Sequence, residues 1–107
     1  MPRTAVINKY TTPPPDTAVW ITRPGPWGSP FEFGRHGNRD EILHRYREWL
    51  EQQPKGFFER VRRQLKGEIL VCVCKPLACH GDFLVAIAED EPWPKIGLKQ
   101  FHLFEGL

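Results

Sequence analysis

The sequence predicts a small single α/β domain, with a short, mostly parallel sheet and about three helices packed on it in Rossmann-like layering. Three observations predict it. A β-branched and aromatic stretch at residues 17–22 is followed by two amphipathic helical stretches, and these lead into a nearly continuous apolar run at residues 68–74. A last short apolar segment at 83–88 then reads as a helix. Parallel neighbours need a crossover of about a dozen residues or more, and the two helical stretches supply one. With 107 residues, the chain suits one core rather than two.

Residues 1–16 are polar, lack a period and end in Pro13-Pro14-Pro15, so they read as an extended N-terminal arm; the α/β domain is assigned to residues 17–107. The strand at 17–22 must stop at Pro24. After it, Trp27-Gly28-Ser29-Pro30-Phe31 mixes turn formers with large rings, which builds a structured loop folded over its own side chains. Asn38-Arg39-Asp40-Glu41 has the form of a capping box and starts a helix. Its apolar stripe is Ile42, Tyr46, Trp49 and Leu50, or alternatively Leu43, Tyr46 and Leu50, and it ends near Gln53 ahead of Pro54. Phe57 or Phe58, Val61 and Leu65 repeat the period to Lys66, where Gly67 stands as the residue just past the helix end.

The run at 68–74 does not alternate, as expected of a central strand buried on both faces. Glu89-Asp90-Glu91-Pro92 closes the final helix. The tail, residues 93–107, reads as an edge strand or a coil pinned by aromatics.

Composition excludes several functions. A formal charge of +2, with acidic residues interspersed among the basic ones, gives no whole-protein field for nucleic acid or an anionic membrane. The basic face of Arg60, Arg62, Arg63 and Lys66 reads as a solvated helix surface. No stretch matches a membrane span of roughly twenty apolar residues, and residues 1–10 lack a signal-peptide core, so a cytoplasmic location is expected. Cys72, Cys74 and Cys79 are odd in number and closely spaced, which suits reduced thiols rather than a disulfide framework.

Chemistry concentrates in two loops. If the strands at 18–22 and 69–74 are parallel neighbours, the segments that follow both of them emerge at the same sheet edge, where open α/β sheets bind ligands. One segment carries Arg23, a fork donor for phosphate or carboxylate, with Trp27 and Phe31 as stacking surfaces. The other carries Cys79-His80-Gly81-Asp82 at a helix start, where amides and the helix dipole hold anions or tune a thiol. The bland alternative has Asp82 capping the helix, Gly81 permitting a tight turn and Cys79 as filler. Cys72, Cys74, Cys79 and His80 are also possible zinc ligands, but their spacing is unlike that of a structural knuckle, and Cys72 and Cys74 are better explained as small buried hydrophobes. His36, His44 and His102 have no partner at ligand or triad spacing.

Trp27-Gly28-Ser29-Pro30-Phe31 and Cys79-His80-Gly81-Asp82 resemble the Trp-Gly-Asn-Pro-Phe and Cys-His-Gly-Asp signatures of domain of unknown function 4326, a family of bacteria, archaea and phages. The resemblance extends from about Val19 to Ala88 and takes in the Tyr46-x-x-Trp49-Leu50 helix. It implies a phage or bacterial source and a set of residues that matter together, with no reaction attached. Ser29 departs from the family's asparagine, keeping a hydroxyl and losing an amide.

The leading expectation is therefore a pocket protein that binds, and in an enzymatic version hydrolyses, a nucleotide-derived or other phosphorylated small molecule. Ligand-binding residues are Arg23, Trp27, Gly28, Ser29, Phe31 and Gly81, with Arg23 and the Gly81–Asp82 amides on the anion. Cys79, His80 and Asp82 are the catalytic candidates of a hydrolase or glycosidase acting on a nucleotide-like substrate, with Asp82 or His80 as general base. No cofactor or metal is assigned, and neither nucleic acid nor membrane is expected as a partner. The competing expectation is a non-catalytic interaction module anchored by one of Trp20, Trp27, Trp49 and Trp93; a zinc-stabilised domain ranks behind it.

Overall fold

The sheet is organised by its last strand, β3 (Ile69–Cys72), which is central and parallel to both edges, β1 (Ala5–Asn8) and β2 (Val19–Trp20). This computed structural model describes residues 2–22, 25–32, 34–73 and 79–94. Within them lie three helices, α1 (Arg39–Glu51), α2 (Lys55–Leu65) and α3 (Gly81–Ala88), making a small α/β domain with an open, all-parallel, three-stranded sheet.

Local chemistry sets the helix ends. Asn38 accepts the Glu41 amide while the Glu41 carboxylate accepts the Asn38 amide, completing the expected capping box. α1 stops at Glu51, and its buried stripe is Leu43, Tyr46 and Leu50, the second of the two patterns the sequence allowed. α2 buries Val61 and Leu65 and ends as the chain turns at Gly67, whose φ of +80° is one that side chains rarely adopt.

The core lies on one face of the sheet. Leu70 and Cys72 of β3 join Ile21, the α1 stripe, Val61 and Leu65 of α2, and Phe83, Leu84, Ile87 and Ala88 of α3 in one buried cluster. Tyr46 is its hub. The ring stacks on Trp49 at 5.6 Å and meets Phe83 edge-on at 6.0 Å, contacts worth roughly 0.5–1.5 kcal/mol each beyond area burial.

Val71 points to the other face and is also fully buried, although it lies outside that cluster. Crossover handedness accounts for this. The chain passes from β1 across β3 to β2 and then returns through α1 and α2 to β3, so two right-handed crossovers must lie on opposite faces. The helices pack on the face of the core cluster, and the handedness rule assigns the connection between Asn8 and Val19 to the other. β3 is thus covered on both sides, as its unalternating sequence predicts.

The arm expected at residues 1–16 needs correction, because its residues Ala5–Asn8 are β1. They pair with β3 in register from Ala5↔Ile69 to Asn8↔Cys72. Thr4 anchors the start: fully buried, it donates its amide and hydroxyl to Glu89 Oε2 at 3.0 and 2.6 Å, while its hydroxyl accepts the Gly67 amide at 2.8 Å. Arg3 adds a bidentate pair with Glu91. These two bonds from Thr4 hold the Glu89 carboxyl below its ordinary 4.5. The expected strand continuation at Cys74 and the tail from residue 95 lie outside the described residues. Among the described residues, no helix is long and apolar enough to cross a membrane.

Candidate functional site

Because β2 and β3 are parallel neighbours, the segments that follow them do emerge together. Thr22 follows β2, Val73 follows β3, and both border a cleft of about 170 Å³. Ser29 and Phe31 of the loop form another wall, Arg39, Ile42 and Leu43 come from the first turns of α1, and Cys72, Cys79 and His80 complete the lining. The cleft sits at the carboxyl edge of the sheet, the place where open α/β sheets take ligands. Most of the lining is apolar. Arg39 supplies a guanidinium, Thr22 and Ser29 supply hydroxyls, and His80 an imidazole.

The α3 start positions Cys79 and His80 by a capping scheme of its own. His80 has helical backbone angles (φ −61°, ψ −24°), so the cap role falls on Cys79. Its Sγ accepts the amide of Gly81, two positions on, at 3.1 Å, and Asp82 Oδ2 accepts the Cys79 amide at 3.1 Å, so the Asp82 half of a capping box is present while sulfur caps the preceding amide. Gly81 is buried, and a Cβ there would lie 2.7 Å from Ile21 Cδ1 and 3.1 Å from Val6 Cγ2, so any larger residue must push these side chains aside.

His80 is fixed at both ends of its ring. Nε2 lies 2.7 Å from the Ile21 carbonyl, and a carbonyl only accepts, so Nε2 carries a proton and donates it. Tyr46 meets the imidazole edge-on at 5.4 Å. Burial, and after it the Cys79 thiol, push the Tyr46 phenol above its ordinary 10.0, so this ring backs the site as a neutral wall.

Of the residues singled out from sequence, Ser29, Phe31, Cys79 and His80 come together at the cleft. Arg23 lies outside the described residues. Trp27 does not wall the cleft. It is buried, edge-on to Phe57 at 6.0 Å, with the Arg60 guanidinium 5.6 Å from its ring. Gly28 serves the turn, donating its amide to the Gly25 carbonyl, and the Ser29 hydroxyl accepts the Phe31 amide at 3.1 Å, which shapes the loop.

Asp82 is not among the cleft residues. Its carboxylate holds the Cys79 amide, and the residue borders a separate groove between β1 and α3. The amides expected on an anion are also taken: that of Gly81 by Cys79 Sγ, that of Asp82 by the Cys79 carbonyl at 3.0 Å. Sequence reading missed Arg39 and Thr22 as cleft residues. Arg39 directly follows the cap Asn38, and that adjacency to a helix start was the available signal. Among the described residues, no three His, Cys, Asp or Glu side chains gather as a metal site; Cys74 is outside them.

The family model described as Domain of unknown function (DUF4326) matches residues 5–90, and the chain belongs to that family. The match begins at the first residue of β1 and ends just past α3, so it covers the sheet and all three helices, more than the stretch from Val19 to Ala88 on which the resemblance rested. No curated protein and no solved structure matches the chain.

Proposed function

We propose that this member of the DUF4326 family binds a phosphorylated or nucleotide-derived small molecule in the cleft at the carboxyl edge of its sheet. The observation that supports this reading is the Arg39 guanidinium, set among the described residues on an otherwise mostly apolar lining that includes the Phe31 ring. Arginine recognises phosphate by paired hydrogen bonds, and a flat ring takes a base or sugar face. Arg39 joins Arg23, the arginine expected from the sequence, as a candidate for the anion role. A volume of about 170 Å³ is below the roughly 300–1,000 Å³ of pockets that enclose whole cofactors, so the enclosed group is a phosphosugar or a single base.

In the hydrolytic version of this reading, His80 is the general base: it takes a proton from a water whose oxygen bonds to the substrate phosphorus as the P–O bond to the leaving group breaks, and the same proton then passes to the departing oxygen, while the Nε2 bond to Ile21 orients the ring. Cys79 is a supporting group there. A cytosolic setting in a bacterial or phage-infected cell belongs to the same proposal and is supported by the odd number and close spacing of Cys72, Cys74 and Cys79 in the sequence.

The test is thermal unfolding of the wild type and Arg39→Ala against nucleoside monophosphates, ADP-ribose and phosphosugars. Ligand at about a hundredfold its Kd stabilises the native state by ~2.7 kcal/mol. A shift in the wild type that Arg39→Ala loses while still folded supports the site; no shift with any compound overturns it. A second reading, the non-catalytic interaction module, draws on Trp20, which is 47% exposed beside Lys9 and the still more exposed Tyr10. It predicts no small-molecule shift and a loss of partner capture in Trp20→Ala.

A further inference from the structure

The sheet face turned away from the helices carries an aromatic surface that adjoins the cleft. Among the described residues only four large apolar side chains are exposed, Tyr10, Trp20, Ile69 and Val73, and three of them gather at the carboxyl edge of the sheet. Backbone pairing sets this. Val19 packs against the core, so its neighbour Trp20 points to the opposite face, in register with Val71. The Lys9 amide donates to the Cys72 carbonyl at 3.0 Å, which brings Lys9 alongside Val73. Val73 itself borders the cleft, so Lys9 stands one strand spacing, roughly 5 Å, from its rim. The Lys9 ammonium lies 4.8 Å from the centre of the Tyr10 ring and 5.9 Å from that of Trp20. Among the described residues no carboxylate pairs with it.

We infer, on the basis of the cleft reading above, that the ligand continues over Val73 onto this surface, and that its class is a nucleoside diphosphate joined to the sugar or base held in the cleft. A volume of about 170 Å³ takes one such group, so whatever is attached to it emerges at the rim. Two exposed rings around a cation suit the emerging half. A base of any identity stacks on an aromatic face, and a pyrophosphate meets the ammonium. Arg39 lines the cleft and Lys9 stands at its edge, which provides a cation for each half of the ligand. The chain's formal charge of only +2 favours a single nucleotide over a nucleic-acid strand, which needs several phosphate contacts.

Calorimetric titration of the full-length chain with ribose 5-phosphate and with ADP-ribose separates the two halves. Both offer a phosphorylated ribose, and only ADP-ribose adds a pyrophosphate-linked adenosine. The wild type is expected to bind ADP-ribose about tenfold tighter than ribose 5-phosphate. Trp20→Ala and Tyr10→Ala should each bring the two affinities together, and Lys9→Gln should flatten the salt dependence of ADP-ribose binding. Tyr10 is the more exposed of the two rings, so its variant guards against a fault in β2 caused by Trp20→Ala. Equal affinities for the two compounds in the wild type overturn the inference and leave the cleft reading in place, whereas binding of neither compound overturns both. A preference for ADP-ribose that survives both ring substitutions also overturns it. So does an oligothymidylate that binds more tightly than ADP-ribose, which would assign the rings to a nucleic-acid strand.

Discussion

Two helix starts in this molecule solve one problem with different chemistry. At α1, Asn38 and Glu41 exchange side-chain bonds on an exposed surface with two of the best oxygen acceptors available. At α3, Asp82 likewise accepts the Cys79 amide, but the buried Cys79 sulfur accepts from Gly81 rather than from Asp82, and Gly81 is hemmed in by Ile21 and Val6. Sulfur accepts more weakly than a hydroxyl. If capping alone had decided the sequence, serine or aspartate would serve better at position 79. The α3 start is therefore set by what surrounds it, a packed sheet on one side and a cleft on the other, whereas the α1 start is set by helix termination.

The sharpest break in the comparison is Gly81→Ala. The new methyl group must displace packed atoms of Ile21 and Val6, and urea unfolding should show a loss of about 1–3 kcal/mol. Asn38→Ala should cost about 1 kcal/mol and leave any ligand-induced stabilisation unchanged, since its amide capping stands apart from the cleft lining. Cys79→Ser should change stability by less than about 1 kcal/mol, because a better acceptor is offset by a buried hydroxyl. The ligand response should nevertheless fall, and an unchanged response would reduce the thiol to a packing role.

Asp82→Asn keeps an acceptor for the Cys79 amide and should cost only about 0.5 kcal/mol, with ligand binding intact. The smallest effect concerns the far end of α3. The folded pKa of Glu89 is depressed, so its contribution is full above the ordinary 4.5 and disappears as pH falls through the folded value. Thermal melts should show Glu89→Gln flattening the acid limb of the stability profile, with no added pH dependence above about pH 6.

How much of this was legible in the sequence depended on how local the cause is. The Asn38 box, the Gly67 stop and the central strand are each specified by residues within one turn or one run, and they form as read. β1 escaped because Ala-Val-Ile-Asn is four residues long, only partly buried and followed by a proline-rich connection; its identity as a strand comes from Glu68 and Cys72, far along the chain. The cleft was half legible. Ser29, Phe31, Cys79 and His80 lie next to motifs that announce them, but nothing local tells Trp27 to face α2, Asp82 to turn back to its own loop, or Arg39 to face the cleft.

The place of β3 in the sheet also governs the order of assembly on the ribosome. Thr4 and its partner Gly67 are 63 positions apart, and neither edge strand has a neighbour to pair with until β3 emerges. α1 and α2 can associate earlier through nearby contacts, whereas β1 must wait until residues 69–72 have been made, and long-range pairing of this kind is slow. A nascent chain stalled just before Ile69 would hold two formed helices and no sheet, with Val6 and Ile7 open to capture by a chaperone.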